Sequence, residues 1–121
     1  MYVKFLLTVA LLTSAGAASA HEAKARNGGR IAEAGSYHIE MVVKSDTVEV
    51  FISDENEKSV AASGFKGTAI LVAGGKSLRI LLAHVDGTRL SGSATNALPG
   101  VPKGVVQLTG PDGKTIQARF D

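Results

Sequence analysis

From Gly35 to the end of the chain, apolar side chains recur at every second position, and this period decides what the chain is able to fold into. In Tyr37-His38-Ile39-Glu40-Met41-Val42-Val43, the residues Tyr37, Ile39, Met41 and Val43 share one face, while His38, Glu40 and Val42 share the other. Val48, Val50 and Ile52 repeat the pattern after a turn at Lys44-Ser45-Asp46, so these two segments read as a hairpin. No stretch after residue 20 places apolar residues at the i, i+3, i+4, i+7 spacing of an amphipathic helix.

Thr68-Ala69-Ile70-Leu71-Val72 is a continuous apolar run suited to a strand buried on both faces or at a sheet–sheet interface. Gly74-Gly75 then offers the positive φ of a tight hairpin. Ser77 to Ala83 is the return strand, with Leu78, Ile80 and Leu82 on one face and Arg79 and Leu81 on the other. Asp86-Gly87 marks a further turn before a short strand at Thr88 to Ser91. A loop with two prolines runs from Ser93 to Lys103, and Gly104–Thr109 and Lys114–Phe120 close the chain as a hairpin around Gly110-Pro111-Asp112-Gly113. About seven short strands with turn signals every 8–12 residues or so predict an all-β domain, an antiparallel β-sandwich or small barrel.

The beginning of the chain reads as an address. Lys4 precedes the apolar run Phe5 to Leu12, and Ala18-Ser19-Ala20 fits the small-residue pattern of signal peptidase. The run is shorter than the roughly 20 apolar residues a bilayer crossing needs. We therefore expect a signal peptide at 1–20, a flexible polar segment at 21–34, a single β domain at 35–121, and a soluble exported product with no remaining membrane span. Cleavage after Ala20 leaves 101 residues with 12 basic and 11 acidic side chains and makes His21 the new N-terminus.

Composition narrows the chemistry. The 121 residues include no Cys, which removes disulfides, thiolate metal sites and a cysteine nucleophile. There is no basic run interleaved with aromatics, so nucleic acid is not an expected partner. No Ser sits in G-x-S-x-G, and the glycine pairs lack a phosphate-binding context, so the sequence makes no case for an enzyme.

Metal binding is the sharper expectation. His38 and Glu40 lie two apart on a strand, with Cβ atoms roughly 7 Å apart on one face. Nitrogen and oxygen donors suit copper(II) or zinc. A mature N-terminal His21 would add an α-amine and an imidazole, giving with His38 a three-nitrogen site of the histidine-brace kind. His84 is a further possible ligand. Without a metal, the same domain reads as a structural or interaction module of the envelope.

Asn27-Gly28-Gly29-Arg30 and the following Glu33-Ala34-Gly35-Ser36-Tyr37-His38-Ile39-Glu40-Met41-Val42-Val43 resemble small exported proteobacterial β-proteins and a His-x-Glu module near the start of periplasmic adaptor subunits of heavy-metal efflux pumps. Val50–Asp54, Gly64–Gly67, Gly74-Gly75-Lys76, Arg89–Gly92 and Asp112–Phe120 extend the likeness over most of the mature chain. The resemblance implies a periplasmic metal carrier, buffer or efflux accessory, with His38 and Glu40 at the matching positions and an efflux-pump or other envelope protein as partner.

Overall fold

The computed structural model describes residues 24–121. The chain forms eight antiparallel strands: β1 (Arg30–Ala34), β2 (Tyr37–Lys44), β3 (Thr47–Ser53), β4 (Lys66–Ala73), β5 (Lys76–Asp86), β6 (Arg89–Ser93), β7 (Lys103–Thr109) and β8 (Thr115–Phe120). One 3₁₀ turn, Ala62–Gly64, precedes β4. The strands lie in the order β1-β2-β3-β6-β5-β4-β7-β8, and the sheet curls until β8 comes against β1, a nearly closed barrel. The all-β expectation holds, in its barrel form.

The hairpins sit where the turn residues put them. Lys44 pairs with Thr47 across Ser45-Asp46, and Ala73 pairs with Lys76 across Gly74-Gly75. Both glycines have positive φ (58° and 75°), as a two-residue hairpin turn with the natural strand twist requires. Two pairings, β3 with β6 and β4 with β7, join strands distant in sequence and leave no local signal. They depend on connections 54–65 and 94–102, which cross opposite ends of the barrel. At the first end Tyr37 meets Phe65 edge to face, with centroids 5.7 Å apart. At the other, the amides of Ala94 and Leu98 donate to the carbonyls of Asp46 and Ser45.

Inward positions fill the core: Ile39 and Met41 from β2, Val48, Val50 and Ile52 from β3, Leu71, Ile80 and Leu82 from the central hairpin, Leu108 and Phe120 from the last. Two details differ from the sequence reading. β1 lies inside the segment expected to be irregular; its inward Ala32 and Ala34 are too small to produce a visible apolar period. The run 68–72 is not buried on both faces. Ala69 and Leu71 point into the core, Ile70 is half-buried, and Val72 is 49% exposed, because a single-layer barrel leaves its outer face to solvent.

Candidate functional site

The outer face of β2 carries the residues the sequence singles out. Glu40 sits there, only 6% exposed, beneath the segment 26–29. Its carboxylate accepts from the backbone amides of Arg26 (3.0 Å), Asn27 (2.9 Å) and Gly29 (2.9 Å), and from Asn27 Nδ2 (3.1 Å). Converging amides of this kind make an anion-binding nest, and here the anion is the protein's own side chain. Gly29 is required by close approach: an added Cβ would stand 2.3 Å from the Met41 carbonyl oxygen. Asn27-Gly28-Gly29 and Glu40, which read as separate motifs in sequence, are therefore two halves of one clamp.

That clamp changes the expected metal geometry. Both carboxylate oxygens of Glu40 already take hydrogen bonds, and a cation there would have to displace them. His38, 12% exposed, faces another partner: its Nε2 lies 3.5 Å from Oε1 of Glu33, its cross-strand neighbour on β1. Nδ1 of His38 is buried without a hydrogen-bond partner. His84 is exposed on β5, three strands along the sheet from β2, so it does not join His38. His21 lies outside the described residues, as does the expected signal peptide at 1–20. Among the described residues, no group of three or more His, Cys, Asp or Glu is placed to hold a metal ion. Glu33 is the residue that spacing arguments miss, because it neighbours His38 only through strand register.

Beside the clamp is a cavity of about 300 Å³ lined by Lys24, Arg26, Asn27, Ile31, Phe51 and Glu57, among others. The Arg26 guanidinium crosses it to donate to the Glu57 carbonyl. At the β5–β6 turn, Asp86 accepts from the Thr88 hydroxyl (2.6 Å) and amide (2.8 Å), and these bonds, with Arg89 nearby, lower its pKa below the ordinary 3.8.

The opposite wall, formed by β5, β4, β7 and β8, has a different character. Register places Arg79, Ile70, Val105 and Arg119 in one outward row. The next row toward the Gly74-Gly75 tip contains Ser77, Val72 and Lys103, and the row on the other side contains Leu81, Thr68, Gln107 and Gln117. Leu81 is 75% exposed. β4, β7 and β8 contain no Asp or Glu, and the only one in β5 is Asp86 at its far end.

No protein-family model, curated protein or solved structure matches this chain.

Proposed function

We propose that the chain is an exported, periplasmic β-barrel module that works by docking on another component of the bacterial envelope through its β5-β4-β7-β8 wall. The observation that carries this reading is the row Arg79–Ile70–Val105–Arg119, in which two aliphatic side chains lie in register between two guanidinium groups. Apolar contact supplies area, and the flanking charges steer and orient the encounter. The test is association of the purified protein with isolated envelopes. The wild type should sediment with them and be released by high salt, and Arg79→Glu with Arg119→Glu should stay in the supernatant while keeping its melting temperature. Equal sedimentation of the double variant would remove the wall from the explanation.

A second reading keeps the metal, copper or zinc, in a carrier, buffer or efflux-accessory role. It is favoured by the His38–Glu33 pair at 3.5 Å and by the unpartnered Nδ1 of His38. In this reading His38 and Glu33 are ligands, His21 supplies further nitrogen donors, and Glu40 holds the strand and the 26–29 loop in place. Calorimetric titration with copper(II) and zinc should show at least a tenfold loss of affinity in His38→Ala and Glu33→Gln. Binding should also weaken steeply below about pH 6, since an imidazole ligand must be neutral. Metal binding that is unchanged in His38→Ala, or flat between pH 8 and pH 5, eliminates this reading.

A further inference from the structure

Building on the docking reading, we infer that the component met by the β5-β4-β7-β8 wall is an anionic phospholipid surface. Charge is unevenly distributed over the barrel. Residues 58–121 carry eight Lys or Arg and only three acidic side chains, Asp86, Asp112 and Asp121. Register gathers Lys66, Arg79, Lys103 and Arg119 onto one wall, with Lys76 beside them at the β4–β5 hairpin. None of these five forms an ion pair with a carboxylate among the described residues. The carboxylates of Glu33, Glu49, Asp54, Glu55 and Glu57 belong to the opposite half of the barrel and its loop, so the molecule has a cationic side and an acidic side.

Apolar side chains stand among those cations. Val72 projects beside Lys103 and next to the side-chain-free Gly74-Gly75 tip, and Val101, 65% exposed, precedes Lys103 by two residues. Leu81, 75% exposed, stands on β5 at the border of the wall, opposite Thr68 of β4. Aliphatic tips surrounded by Lys and Arg match a headgroup layer, where the tips enter the interface and the cations meet phosphates. With no Trp or Tyr on the wall, charge dominates such contact, which makes it reversible and sensitive to salt.

Shape and edges argue against a polypeptide partner. The depression along Lys66, Thr68, Leu81, Gln107 and Thr115 is open to solvent rather than a closed groove that would seat a helix or extended segment. Strand addition needs an open sheet edge, and here the two edge strands lie against each other. Arg30 of β1 bridges that seam, donating to the carbonyls of Pro102 and Asp121. Two copies meeting wall to wall would bring cations together.

The test is sedimentation of the purified protein with large vesicles, either phosphatidylcholine alone or an equimolar mixture with phosphatidylglycerol. Binding is expected to the mixed vesicles only, with release in high salt. Each cation near such a surface is worth about fivefold in affinity, so Arg79→Gln with Arg119→Gln should bind about 25-fold more weakly. Val72→Ser should weaken binding several-fold. Lys44→Gln, the loss of one charge on the other side of the barrel, should bind as the wild type does where the loss of one wall cation costs about fivefold, and thermal melts of every variant check that the fold is kept. Undiminished binding of the Arg double variant overturns the inference, as does equal binding to both vesicle types. Salt-released association with envelopes, but none with mixed vesicles, also overturns it and transfers the wall to an acidic protein partner, leaving the docking reading intact. Association with neither removes both.

Discussion

Glu40 is a buried charge held by four donors from one short loop, and charge-assisted bonds of this kind are stronger than neutral ones. Glu40→Gln keeps the shape but replaces one acceptor oxygen with a donor that faces other donors. Denaturant titration should show a loss of about 2 kcal/mol with an unchanged slope. The same variant should be cleaved faster by trypsin after Arg26, because the clamp no longer holds residues 26–29. Asp86 gives a pH-dependent counterpart. Its folded pKa is lowered chiefly by the Thr88 hydroxyl and amide, so its contribution is fully present above the unfolded value near 3.8 and is lost as pH falls through the lower folded value. Asp86→Asn should therefore be less stable than wild type at pH 7, and the gap should close in strong acid when both are unfolded by denaturant at each pH.

Among the described residues the seam between β1 and β8 has no strand pairing, and it closes the barrel by packing and by the Arg30 side chain. Arg30 reaches two carbonyls with its two Nη atoms and lies 5.6 Å over the Phe120 ring, so a single guanidinium ties β1 to the start of β7 and the end of β8. Lysine cannot reproduce that fork. Arg30→Lys should cost about 1–2 kcal/mol, and hydrogen exchange should quicken in β1 and β8 while β4 and β5 keep their protection. At this scale alternation, the apolar run at 68–72 and turn chemistry together locate seven of the eight strands. β1 escapes because Ala32 and Ala34 are its only inward apolar residues and its third inward side chain, Arg30, is charged.

The whole barrel is held by two pairings between strands far apart in sequence. β3 meets β6 and β4 meets β7 only after the connections 54–65 and 94–102 have crossed the barrel ends. Loop-closure entropy must be met before those contacts stabilise anything, which places folding in the milliseconds-to-seconds range typical of all-β topologies. Stopped-flow refolding followed by tyrosine fluorescence should show this. A microsecond main phase would mean that the long-range pairings do not limit the rate.

The identity of β2 to β8, the turn positions and the all-β class follow from residue order alone, because a period of two and positive-φ glycines act over a few neighbours at most. The same local logic finds His38 and Glu40 on one face of β2. Partnership is a different matter, since strand register joins residues that no spacing rule connects. Only the folded barrel gives Glu40 to the loop of Asn27 and Gly29, sets Glu33 against His38, and assembles Arg79, Ile70, Val105 and Arg119 from four strands into one row.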